Sequence, residues 1–559
     1  MSAPLLCGLS IVFLYLGYRF YGSFLERRIV EPSDTATPAH DVNDGVDFVP
    51  CRPAMLFGHH FASIAGAGPI IGPVLAVVQF GWMAVAGWIV VGCVFMGAVH
   101  DYLSLMMSVR NRGASVAEVA ERTMGTRASL IFSAFLWAAL VLIIAVFGIS
   151  GARTLIAAPQ MVIPSFSLIF IAMLFGWVSR RFGVNLAVAT LFAVGANFIA
   201  IYIGYLHPIS LPASLSEQTA LMVWFGILIA YGALASVLPV WLLLQPRDYI
   251  CVYKLYIGLA LGIGGIMVGG RTISAPAYTQ FSAGGDALFP MLFVIVACGA
   301  ISGFHSLVAG GTTSKQLNRE RDGKRIGYGA MIVEGVLAIV ALISVSAGLA
   351  WQGTALPGQP VLQDVVRDKG WMVAFGQGYG TLVASLPIIT ATAATLFGMI
   401  MLKTFILTTL DTATRLARFI IRESIGEYVP QVGGRVGATL VTVGPALWLG
   451  YSNKWQVIWP VFGAANQLIA ALALLVISAY LVGIRKPAGY TLVPAMVMTC
   501  ITVSALAYQA YGFFFGPSGV QWTLAIACVV LLVLAGVVIF EAAGAYRRLR
   551  VSAAEGAVA

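Results

Sequence analysis

The sequence predicts an all-α polytopic membrane protein of about fifteen crossings, at least one of them broken at half depth. Three observations carry that expectation. The 559 residues are 60% hydrophobic and only 10% charged, whereas soluble domains carry about 25% charge. Apolar runs long enough to span a bilayer recur from one end of the chain to the other. And one such run, 59-HHFASIAGAGPIIGPVLAVVQF-80, sets Gly66, Gly68, Pro69, Gly72 and Pro73 in its middle. Lipid-exposed backbone cannot leave its amides and carbonyls unpaired, so a break at that depth belongs beside a buried site or cavity.

The first run, 4–25, is too long for a signal-peptide core, lacks a basic start and is followed by Arg27-Arg28 rather than a small-residue cleavage site. Segment 1–58 therefore reads as a retained first span and a cytoplasmic linker. Runs at 59–80, 82–108, 128–150, 161–179 and 184–205 follow, then 219–243, 249–270, 287–314, 326–350 and 379–423. Spans 59–80 and 219–243 lie five crossings apart and so run in opposite directions. Segments 59–205 and 219–423 can then form an inverted pair, a recurring transporter plan with binding sites at helix breaks. Runs at 434–451, 456–482, 490–511 and 521–545 make 434–545 a block of additional helices, and 546–559 is a tail.

Charge sets the orientation. The net charge of +10 would suggest nucleic acid in a soluble protein, but here the basic residues follow the loops. With 379–423 counted as one crossing, clusters such as Arg110/Arg112, Lys315–Arg325, Arg415–Arg435 and Arg547–Arg550 share one side. Only Arg153, Arg271, Arg367, Lys369 and Lys454 lie opposite. The bias predicts an external N-terminus and a cytoplasmic C-terminus, with no need for a nucleic-acid partner. The segment 411-DTATRLARFIIRES-424 reads as an amphipathic, solvated helix end.

Two further segments look interrupted. In 303-GFHSLVAGGTTSKQ-316, glycines and hydroxyls crowd together. The likeness to a phosphate-binding loop fails, because the spacing is wrong and no strand precedes it. In 236-SVLPVWLLLQPRDY-249, Pro239 interrupts a span. Ionisable residues at depth are costly and are functional candidates by default. Here they are His59, His60, His100, Asp101, Lys254, His305, Glu334, Lys403 and Asp411. A proton relay suits His and carboxylates. No HxxxH or HExxH spacing supports a metal site, and the seven scattered cysteines form no CxxC pair.

The stretches 57-FGHHFASIAGAGPIIGPVLA-76, 97-GAVHDYLSLMMSVRNRGAS-115, 238-LPVWLLLQPRDY-249, 297-ACGAISGFHSLVAGGTTSK-315, 407-LTTLDTATRLARF-419 and 458-IWPVFGAANQLIAALAL-474 resemble, in order, the carbon starvation protein A family of bacterial inner-membrane transporters. The resemblance implies secondary uptake of peptides or of small carboxylates such as pyruvate, driven by protons, with sodium the alternative coupling ion. It also implies a LeuT-like core related to the amino acid–polyamine–organocation superfamily. Gly66–Pro69 then corresponds to the break of the first core helix, Pro239 to the sixth helix and 303–314 to the eighth. Two positions depart from the family pattern: His100 stands in place of a glutamine, and Lys403 stands where longer members carry an acid.

Substrate contacts are accordingly expected at Gly66, Ala67, Gly68, Pro69, Pro239 and Trp241, with Lys403 suited to an anionic group. Ion or proton coupling is expected among His59, His60, Asp101, His305, Thr312, Thr313, Glu334 and Asp411. The expected partners are a small-molecule substrate and lipid, and no cofactor is implied. A channel is a weaker reading, given oppositely oriented breaks and no repeated pore loop. A hydrolase would need a nucleophile–base pair or metal spacing, and neither GxSxG nor HExxH occurs.

Overall fold

The computed structural model describes residues 1–283, 286–352, 359–426, 429–452, 455–517 and 519–555. The architecture is all-α and multi-pass; among the described residues one two-residue strand pair, Ser282–Ala283 with Asp286–Ala287, is a minor addition. Thirteen helical stretches of the described chain are long and apolar enough to cross a membrane. Two other expected crossings take different forms. Segment 287–314 is divided into short helical pieces, and 434–451 is a 17-residue helix, Arg435–Tyr451. The expected 379–423 span begins later, as the 34-residue helix Ala391–Ser424, after a separate helix Trp371–Val383. The final helix, Trp522–Glu555, runs through most of the expected tail, whose residues 556–559 lie outside the described chain.

The break expected in 59–80 is present. Helix Pro53–Ile64 stops at Ala65, whose ψ of 58° is non-helical, and a second helix, Gly68–Phe80, starts three residues later. Pro69 stands in its first turn, where a missing amide costs nothing because the first amides of a helix have no intrahelical acceptor.

Its partner break is not the one at Pro239. It lies at 296–302, between the short helices Phe293–Ile295 and Gly303–Val308. The glycines Gly310 and Gly311, expected to interrupt the chain, instead continue it as a wider helical turn, Ala309–Thr313. The two breaks cross in close contact. A Cβ on Gly68 would clash with Cys298 Sγ, and one on Gly72 would sit 2.5 Å from the Ile295 carbonyl oxygen.

Reciprocal packing defines the core. Pro53–Ile64 packs on Leu244–Gly269, as Gly303–Val308 packs on Trp455–Gly483. Thr126–Ala157 and Ala391–Ser424 pack together, and Glu217–Val237 and Arg435–Tyr451 each pack on both. The same pattern of packing thus recurs in a first half, 53–269, and a second half, 288–483, each opening on a broken helix. The hairpin of Val162–Phe182 and Leu186–Leu206 is inserted in the first half, and Trp371–Val383 in the second. Hydropathy cannot reveal this, because an inserted pair of crossings leaves the direction of every later span unchanged.

Candidate functional site

The crossing of the two breaks opens a cavity of about 600 Å³, within the range of small-ligand sites. Gly66, Gly68, Cys298, Ser302, Thr409 and Asn466 line it at the breaks. Gln79, Asp286, Gln509 and Gln521 line the part toward the end of helix Gly68–Phe80. Asp286 is the only charged side chain among the described lining residues.

Asn466 bonds to the chain at the second break. Its side-chain oxygen accepts from the Phe304 amide (3.0 Å) and its nitrogen donates to Ser302 Oγ (3.0 Å). One of the orphan amides at the start of helix Gly303–Val308 is satisfied in this way. Of the other expected contacts, Ala67 caps helix Gly68–Phe80 and Pro69 is buried in its first turn.

One turn beyond the cavity is a buried acid–histidine chain. The His305 amide donates to the Ser302 carbonyl (3.2 Å), which ties the chain to the cavity wall. Asp101 bonds His100 Nδ1 at 2.8 Å through one oxygen and His305 Nδ1 at 3.0 Å through the other. His305 Nε2 lies 3.5 Å from a Glu334 oxygen. Neither Glu334 oxygen has a hydrogen-bond partner among the described residues, and Glu334, Asp101, His100 and His305 are all fully buried. A buried carboxyl without a donor is costly, and such a group beside a histidine is positioned to take up and pass on a proton.

The other expected residues are distributed elsewhere. His60 Nδ1 bonds Thr313 Oγ1 at 2.8 Å, while Thr312 Oγ1 donates to its own helix at Val308 (3.1 Å). His59 does not join His100 and Asp101; its Nδ1 bonds Asp248 at 2.7 Å. Asp248 pairs with Arg247, which also pairs with Asp411, and Tyr231 donates to Asp411 at 2.9 Å. Asp411 is thus part of a satisfied ion network with Arg247 and Tyr231.

Pro239 and Trp241 do not line the cavity. Trp241 Nε1 donates to the Gly45 carbonyl at 3.1 Å under the Arg180 guanidinium. Lys403 is also absent from the cavity and borders a separate, small one with Arg247 and Lys254. Among the described residues no group of three or more His, Cys, Asp or Glu side chains is placed to hold a metal ion.

Sequence reasoning missed Asn466, Ser302, Cys298 and Asp286. Asn466 was visible as an uncharged polar residue within an apolar run, 461-VFGAANQLIAALAL-474, and such residues in spans commonly bond across helices.

The Gly68–Cys298 contact makes a direct prediction. Gly68→Ala should destabilise the crossing by about 1–3 kcal/mol, as overpacking does. Adding Cys298→Gly should recover most of that loss. Thermal unfolding of the single and double variants measures the coupling, and additive losses would mean the two residues act separately.

Several known membrane transporters are similar to this chain. It is 35% identical over 582 residues to "Peptide transporter CstA" of Mycobacterium tuberculosis, covering 91% of this chain and 75% of the relative. It is 32% identical to "Pyruvate/proton symporter BtsT" of Escherichia coli, covering 91% and 83%. It is also 32% identical to "Peptide transporter CstA" of Bacillus subtilis, covering 92% and 90%. Among solved structures, a mutant of the Eremococcus coleocola manganese transporter aligns over 91% of this chain and 99% of its own at 12% identity and TM-score 0.48. MhsT in complex with L-phenylalanine aligns over 87% and 98% at the same identity and score. The family model described as "Carbon starvation protein CstA" matches residues 2–352 and 359–505, and the chain belongs to that family of membrane transporters.

Proposed function

We propose that the protein is a proton-coupled secondary active transporter that imports short peptides or small carboxylates by alternating access, with short peptides the better fit to its cavity. The observation that carries this reading is the buried Asp101–His305–Glu334 chain, one helical turn from the cavity wall at Ser302. Protonation there changes the charge behind a broken helix, and helix breaks of this kind are where transporters bind substrates and ions.

Charge placement favours peptides. The described lining has no Lys, Arg or His, and its one carboxylate, Asp286, is matched by an amine rather than by an anion. The first turn of helix Gly68–Phe80 borders the same cavity, and its positive end suits a carboxylate. A zwitterionic peptide presents both groups, whereas pyruvate presents only the second. Relatives named for peptide and for pyruvate transport keep both classes under test.

In this reading the protein sits in the bacterial inner membrane with the N-terminus outside and the C-terminus in the cytoplasm, as the loop charges favour. It needs no cofactor besides the coupling ion.

The test is uptake of labelled dipeptide and labelled pyruvate into proteoliposomes under imposed proton or sodium gradients. Dipeptide uptake driven by the proton gradient is the expected result. Pyruvate uptake alone would overturn the substrate preference, and dependence on sodium alone would overturn the coupling ion. Uptake at equal rates with no gradient, and no accumulation, would favour a channel.

A further inference from the structure

Arg247, Lys254 and Lys403 border a second, much smaller cavity, of about 20 Å³, whose walls are otherwise mostly apolar side chains such as Leu168, Phe166 and Leu407. Lys403 Nζ is buried and has no hydrogen-bond partner among the described residues. Lys254 is buried as well, at 3% exposure, and the two carboxylates of the adjoining network, Asp248 and Asp411, are already held by Arg247. Arg415, the next guanidinium along the helix of Asp411, is held by Asp47. With both lysines protonated, Arg247, Lys254 and Lys403 set three positive charges against these two carboxylates, an excess of one in an apolar setting. A buried, unpaired ammonium is among the costliest groups a membrane protein can hold.

We infer that this cavity is a binding site for one small monovalent anion of halide size, held by Lys403 and Lys254 beside the Arg247 ion network. The volume is enough for about one water-sized particle, so a peptide or a pyruvate-sized carboxylate does not fit. The charge is that of a single anion, and the apolar wall favours a weakly hydrated ion such as chloride or bromide over a multivalent one. The site stands apart from the substrate cavity and does not depend on the transport reading. Its occupant completes the charge balance between Ala391–Ser424 and Leu244–Gly269, two packed core helices.

The test uses the purified full-length protein in detergent, in sodium chloride, sodium bromide or sodium gluconate at equal ionic strength. Chloride and bromide should each raise the unfolding midpoint over gluconate by roughly 1–3 °C, because an ion bound only by the folded state stabilises it. Radiolabelled chloride should bind at one ion per chain. Lys403→Met, which keeps the side chain's length and removes its charge, should bind no chloride and melt at the same temperature in all three salts. Lys254→Met serves as a second variant should the first fail to fold, with the same expectation. Equal melting of the wild-type protein in chloride and gluconate would overturn the proposal, and so would full chloride binding by a folded Lys403→Met protein.

Discussion

Asp47→Asn is expected to destabilise the protein by about 3–5 kcal/mol, the loss typical when one partner of a buried ion pair is removed. Asp47 lies in the linker before Pro53–Ile64 and is only 2% exposed. Arg415 Nη1 donates to it at 2.6 Å, and Arg418 Nη2 donates to both its oxygens at 3.2 Å. One carboxylate thus serves two buried guanidiniums. Arg415 also donates to the Ala235 carbonyl at 2.7 Å and to the Leu238 carbonyl, which ties the linker to the end of helix Glu217–Val237. Asparagine keeps the shape and removes the charge, leaving both arginines uncompensated. Arg418→Met leaves the Asp47–Arg415 pair intact and should stay within about 1 kcal/mol of wild type, because exchanging a buried ion for a packed apolar group is often neutral. Thermal unfolding of the two variants decides it; an Asp47→Asn protein that melts with the wild type would show the pair to be dispensable.

The same pair gives a pH dependence. Burial alone would raise the Asp47 carboxyl, but Arg415 and Arg418 outweigh it and hold it below the usual carboxylate range. A carboxyl lowered in the folded state contributes its stability fully above its unfolded value, about pH 4. That contribution is lost as pH falls through the lower folded value. The stability gap between wild type and Asp47→Asn should therefore be constant near neutrality and close only below about pH 4.

Glu334→Gln should abolish concentrative uptake while leaving the protein folded. Glutamine preserves the size of Glu334 in a fully buried position but cannot exchange a proton with His305, 3.5 Å away. One proton per neutral substrate, moved through about 100 mV, supplies about 2.3 kcal/mol, which supports roughly 50-fold accumulation. Without coupling the ratio should fall to about 1. Substrate exchange across proteoliposomes with equal pH and no potential should persist, since it needs binding and rocking but no net proton movement. Undiminished accumulation by Glu334→Gln would remove this residue from coupling, and loss of exchange as well would make its role structural.

Much of this protein was legible one-dimensionally. Hydropathy marked the spans, and 66-GAGP-69 marked a break that the fold contains. Each of these is a local property, because a bilayer imposes its length and backbone-pairing rules on every segment separately. Glu334 and His305 could be named as buried ionisable groups for the same reason: an ionisable group in an apolar run is conspicuous wherever it points. What each of them touches was not legible. His59 and His60 are neighbours in sequence and turn to different partners, Asp248 and Thr313, because successive residues of a helix lie about 100° apart. The break that partners Gly66–Pro69 was expected at Pro239 and occurs at 296–302, where no proline marks it. Asn466, more than 160 residues away, caps the helix that follows. Asp47, an ordinary linker residue in the sequence, balances two arginines some 370 positions later. Which breaks cross, which charges pair and which cations stay unpaired depend on how distant helices pack, and only the tertiary structure brings those residues within the few ångströms over which hydrogen bonds and ion pairs act.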